Sequence, residues 1–227
     1  AISAAGALVY YVVVRDQPPG TPVVPPKPSS YREELAGLLT VWRTPGLLPV
    51  LAVHTFAYAT QLTILGIWAG PYLFDVYGLK GLARGNILLI MGLAQIIGVF
   101  CYGPLDRLVG SRKIVIVTGA ALTIATLVLM AVIPHPPLWF AVILLNLVTF
   151  VASYGVVIVS QGRALFPQHL AGRGATTVNM AQLLGLMALP IVTGQIVGAF
   201  PATAGVVPEV AYRAAFAALA ACKLFGW

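Results

Sequence analysis

Charge is what this sequence has least of. Of its 227 residues, 8% are Asp, Glu, Lys or Arg, where a soluble domain carries about 25%. The 13 basic and 6 acidic residues fall at the ends of long uncharged stretches. None lies in 45–72, 85–105, 114–140, 141–162 or 174–208. Uncharged apolar runs longer than about 18 residues are candidate membrane spans, and a soluble domain of this length has too little interior to hide several of them. Two cysteines, Cys101 and Cys222, cannot build a disulfide framework, and each reads as a small buried hydrophobe in an apolar stretch. The net charge of +7 comes without a dense basic patch interleaved with aromatics, which argues against nucleic acid as a partner. His54, His135 and His169 show no metal-ligand spacing. No Ser-centred elbow, HExxH, P-loop or Rossmann fingerprint occurs. No catalytic residue, metal or cofactor is therefore expected.

What is present is apolar and continuous: 59% of residues are hydrophobic, with 23 glycines and 17 prolines. Continuous runs favour helices, since membrane-barrel strands alternate over about ten residues. Residues 1–14 are apolar but cover only about 21 Å as a helix, less than the roughly 30 Å of a hydrocarbon core. They lack an initiator Met and a basic n-region, and read as the end of a span that begins upstream. Residues 15–44 form a polar connector whose prolines favour an extended path. Within it, 31–42 reads as a short amphipathic helix with Leu35, Leu38, Leu39 and Trp42 on its apolar side.

Complete spans follow at about 46–73, 86–102, 114–133, 138–166 and 175–200, and a short last one at 212–227. Pro134, His135, Pro136 and Pro137 force a tight turn between the third and fourth. Basic residues divide unevenly between the two sides. Nine (Arg15, Lys27, Arg32, Arg43, Arg107, Arg112, Lys113, Arg163 and Arg173) share one side and three (Lys80, Arg84 and Arg213) the other. The positive-inside rule puts the connector and the C-terminus in the cytoplasm and the 134–137 turn outside.

The second and third spans are joined by GPLDRLVGSRK, residues 103–113. Gly103 and Pro104 are expected to end one helix. Asp106 can pair with Arg107, Arg112 or a neighbouring helix. Gly110 allows a turn, and Arg112 and Lys113 anchor the next helix at the membrane surface.

This segment resembles the cytoplasmic Gly-x-x-x-Asp-Arg-x-Gly-Arg-Arg/Lys loop of major facilitator superfamily transporters, in its copy between helices eight and nine. Gly103 stands three residues before Asp106 rather than four, and Val109 adds a residue before Gly110. FPQHLAGRGATTVN, residues 166–179, is similar to the family's loop between helices ten and eleven. The resemblance implies an all-α polytopic transmembrane bundle: the C-terminal six-helix half, built of two inverted three-helix repeats at roughly 46–133 and 138–227. Residues 1–14 would end helix six, 15–44 would be the central cytoplasmic loop, and 45–227 the C-terminal bundle. The implied partners are the bilayer, the missing N-terminal half and a small solute. The implied location is a bacterial inner (plasma) membrane. Gly103, Asp106, Arg107, Gly110, Arg112 and Lys113 would belong to a cytoplasmic gate.

Polar side chains within spans usually face a bundle interior or cavity. His54, Tyr58 and Gln61 share one helical face, and Gln95, Asn146, Tyr154, Asn179 and Gln182 complete the set of candidate path residues. Only His54 offers a titratable group for proton coupling. Pro190 is expected to kink its span, and Gly194 with Gly198 forms a small-xxx-small contact surface. The function these residues suggest is secondary active or facilitative transport of a small solute by alternating access. A non-transporting membrane receptor or assembly subunit is the alternative. A membrane-embedded enzyme comes behind both.

Overall fold

A computed structural model describes residues 10–11, 30–203 and 205–226. Apart from Tyr10 and Tyr11, the expected span end at 1–14 lies outside them, as does the connector from 12 to 29. The chain divides into two units, residues 1–35 and 36–227; the second holds the helical bundle.

Every helix of that bundle follows an apolar run in the sequence. Helix α1 is Tyr31–Trp42, the amphipathic segment expected, but it buries Val41 and leaves Leu39 and Trp42 exposed. Among the described residues five helices are long and apolar enough to cross a bilayer: α2, Leu47–Asp75; α3, Gly81–Val109; α4, Arg112–Val132; α5, Leu138–Ala164; and α6, Ala171–Gly198. Helix α7, Glu209–Phe225, has 17 residues and reaches about 26 Å. Among the described residues, the only pairing outside helices is a β-bridge between Thr203 and Val206.

The ends of these helices correct two expectations. Helix α3 does not stop at Gly103 and Pro104; it runs through both to Val109. Pro104 costs one backbone bond, but in an exposed last stretch where the freed carbonyl meets water or headgroups. Cys101 is exposed rather than buried, and both cysteines are free.

Three pairings dominate the packing: α2 on α6, α3 on α5, and α4 on α7. The first two are close because glycine permits it. A Cβ on Gly185 of α6 would overlap the Thr55 carbonyl of α2, and one on Gly98 of α3 would overlap Ser153 and the Phe150 carbonyl of α5. Further along, Trp68 Nε1 donates to Thr193 Oγ1 at 2.8 Å. The ascending numbers on both helices show that α2 and α6 run parallel. Helices α4 and α7 run antiparallel: Arg213, near the start of α7, donates to the carbonyls of Ala131 and Val132 at the end of α4, at 2.7 and 2.9 Å. Gly194 and Gly198 make no such approach, since no described atom lies within 4 Å of a Cβ at either. They face away from the neighbouring described helices, so no small-residue contact forms there among the described residues.

Among the described residues two helices are broken. Helix α2 contains a π-turn at Ile64–Trp68. Pro71 follows three residues later and has no N–H to give the Ile67 carbonyl, so the wider turn absorbs the proline. Helix α5 tightens to a 3₁₀ turn at Ala152–Tyr154. Helix α6 is continuous through Pro190. There Thr193 Oγ1 donates to the Leu189 carbonyl at 2.7 Å.

The expected tight turn at 134–137 is held from both sides. Tyr77 OH donates to the Pro136 carbonyl at 2.8 Å. His135, at φ 47°, gives its backbone N–H to Glu209 Oε1 at 2.9 Å and its ring pairs with the other oxygen. Nearby, Tyr212 OH donates to Asp75 Oδ2, tying α7 to α2.

Replacing Gly185 by Val should force α2 and α6 apart and cost about 1–3 kcal/mol. Gly194→Val, with open space around it, should stay within about 0.5 kcal/mol. Thermal unfolding of the purified variants in detergent measures both.

Candidate functional site

Four helices enclose a cavity of about 280 Å³. Helix α2 supplies His54, Tyr58 and Gln61; α3 supplies Gln95 and Val99; α6 supplies Gln182. The broken part of α5 supplies Ala152, Ser153 and Gly155, with Val156 and Val159 beyond it. Helical spacing explains the first three, since positions i, i+4 and i+7 lie on one face. Gln95 and Gln182 join them because α3 and α6 flank α5 and α2.

The cavity wall mixes committed and uncommitted polar groups. Gln61, 2% exposed, gives Nε2 to the Thr149 carbonyl at 2.6 Å and to Ser153 Oγ at 3.3 Å. Ser153 Oγ in turn donates to the Gln95 carbonyl at 3.2 Å or to that of Thr149 at 3.0 Å. Gln61 is therefore wall and fastener at once: it ties α2 to the turn where α5 is broken. His54 is different. It is 1% exposed, and neither ring nitrogen makes a well-formed hydrogen bond to a described residue, although the Gln182 side chain lies near enough to interact with it. Such a group is costly unless something meets it, and here it borders a hollow.

Three expected path residues lie elsewhere. Asn146 gives Nδ2 to the Val142 carbonyl of its own helix at 2.8 Å. Asn179 is exposed on α6. Tyr154 points to the rear of α5, where its OH accepts from Lys223 Nζ at 3.0 Å and its ring lies 5.3 Å from that nitrogen. Lys223 is 2% exposed, so a lysine side chain lies inside the bundle, on the short last span. Its signal was in the sequence. Tyr212, Phe216, Leu219 and Lys223 recur at helical spacing on the buried face of α7.

At the 103–113 loop, Asp106 Oδ2 pairs with Arg112 Nε at 3.0 Å, one of the pairings expected. Gly110 closes α3 in the left-handed region at φ 71°, and Ser111 Oγ accepts from the Ile114 N–H to cap α4. The His/Cys/Asp/Glu side chains of the described residues form no group of three or more able to hold a metal.

A sequence model of the Major Facilitator Superfamily matches residues 1–190. The chain belongs to that superfamily. It is a polytopic all-α membrane protein with a general role in transport across the bilayer, not an enzyme, and its partners in general terms are lipid and solute.

Gln61→Leu should loosen the α2–α5 fastening and cost about 0.5–1.5 kcal/mol. A double-mutant cycle with Ser153→Ala should show coupling between the two positions, read from thermal unfolding.

Proposed function

We propose that α2–α7 form the C-terminal six-helix half of a secondary transporter, and that the cavity beside His54 is its share of the solute path. The carrying observation is the convergence of His54, Tyr58, Gln61, Gln95 and Gln182 on one hollow, where the His54 ring has no well-formed hydrogen bond to a described residue. In this reading the N-terminal half supplies the opposing wall, and the two halves rock to expose the path to each side in turn.

The packing supports two inverted three-helix repeats. Exchanging α2 with α5, α3 with α6, and α4 with α7 turns the α2–α6 pairing into the α5–α3 pairing and returns the α4–α7 pairing to itself. Both parallel pairs bring a glycine onto a backbone carbonyl, and the first helix of each repeat is the broken one. The Asp106–Arg112 pair between α3 and α4 serves as the gate loop, with Gly103, Arg107, Gly110 and Lys113. The nine-to-three division of basic residues supports a cytoplasmic placement for that loop and for the connector at 15–44, in a bacterial inner membrane.

The cavity's polar groups are imidazole, phenol, amide and hydroxyl, none formally charged apart from a protonated His54. That lining suits a neutral or amphiphilic solute that both donates and accepts hydrogen bonds. His54 is the residue for any proton coupling, since imidazole is the side chain that titrates near neutrality.

Proteoliposomes carrying the transporter with both halves test this with a panel of labelled sugars, polyols and amides. Saturable uptake of at least one is expected. It should fall about tenfold in His54→Ala and in Gln182→Ala, the loss of one hydrogen bond each. Equal uptake across the variants would remove the cavity from the path.

A further inference from the structure

The charged end of the bundle, away from the solute cavity, holds two hollows that meet. One is a slot of about 310 Å³ between α2, α4 and α5, walled by Pro49, Val50, Val53, Ile116, Val117 and Ile158. The other is a basin of about 450 Å³ over the α3–α4 loop, bordered by Asp106, Arg107, Gly110 and Arg112. Lys113 and Gln161 line both, so the slot and the basin adjoin at a lysine.

The two hollows differ in chemistry. The slot is apolar apart from that shared rim. In the basin, Asp106 is taken by Arg112 at 3.0 Å. Among the described residues no carboxylate pairs with Arg107 or Lys113, and both are exposed. The basin therefore presents two uncompensated cations. A small anion would use the basin and leave the slot dry and empty. A neutral apolar molecule would fill the slot and gain nothing from the cations. Only a ligand with an anionic head and an apolar tail uses both.

We propose that this is a binding site for an anionic phospholipid, with the phosphate at Arg107 and Lys113 and an acyl chain in the slot. The bilayer around the bundle supplies such molecules, and basic pockets between spans at headgroup level suit them. The slot falls within the range of about 300–1,000 Å³ typical of ligand pockets. The proposal does not rest on the transport reading, because it concerns only lipid, the slot and the basin.

The test titrates the purified protein in detergent with phosphatidylglycerol or with phosphatidylcholine of the same acyl chains, and counts bound lipid by native mass spectrometry. Phosphatidylglycerol should bind about 25-fold tighter, about fivefold for each uncompensated cation. Arg107→Gln and Lys113→Gln should each lose about fivefold, whereas Lys80→Gln and Arg84→Gln at the other end should lose nothing. Asp106→Asn should strengthen binding, because it frees Arg112. Val53→Trp should fill the slot and weaken phosphatidylglycerol binding; Val117→Asn, which keeps the volume close and makes the wall polar, should do the same if the tryptophan variant fails to fold. Glycerol phosphate alone should not compete. Equal binding of the two lipids would overturn the proposal. So would an unchanged affinity in the Arg107→Gln/Lys113→Gln double variant, or competition by glycerol phosphate as strong as by the lipid.

Discussion

The bond from the Gln61 amide to the Thr149 carbonyl, 2.6 Å long, is the one on which the site depends. In a bilayer there is no water at mid-depth to answer a polar group, so each must be answered from within the bundle. Thr149 lies three residues before the 3₁₀ turn of α5. Gln61 lies three residues before the π-turn of α2. One side chain thus bridges the two places where helical regularity fails, and Ser153 adds a second connection to the Gln95 carbonyl of α3. Elsewhere the bundle uses a cheaper device: Thr123, Thr126 and Thr193 turn their hydroxyls back to carbonyls one turn earlier on their own helix. That economy is incomplete: both His54 nitrogens, Thr63 Oγ1 and Asn146 Oδ1 are buried without a well-formed hydrogen bond among the described residues.

The same constraint divides what could be read in the sequence from what could not. The spans were legible because charge is excluded from hydrocarbon, a property of each segment by itself. The His54–Tyr58–Gln61 face was legible because helical period is local. The fates of Asn146, Asn179 and Tyr154 were not. A polar side chain in a span can turn back to its own helix, as the Asn146 amide N–H does, or turn to a neighbour, as Tyr154 turns to Lys223. Which occurs depends on the helices alongside, and sequence spacing does not state them.

The breaks show the same division. The helix around Pro190 stays α-helical through it. Pro71 was the informative proline, because it lies a few residues after the π-turn that absorbs it. The 3₁₀ turn of α5 has no proline at all. Gln61 of α2 and the Gln95 carbonyl of α3 meet it through Ser153 and Thr149. Both breaks lie on helices that line the cavity, and the 3₁₀ turn of α5 borders it directly. Membership of the Major Facilitator Superfamily is consistent with that placement, since backbone irregularity at membrane depth is tolerated where it is buried in protein or lines a water-filled space.

The central claim is that this hollow is a wet path and not a seam between packed helices. Cysteine accessibility in native membranes tests it directly, with Cys101 and Cys222 first replaced by serine. Cysteines placed at Tyr58 and Gln182, on the cavity wall, should react with a membrane-impermeant thiol reagent. Cysteines at Leu93 and Met187, exposed apolar positions on α3 and α6, should remain unlabelled. Unreactive cysteines at 58 and 182 beside reactive ones at 93 and 187 would contradict the account.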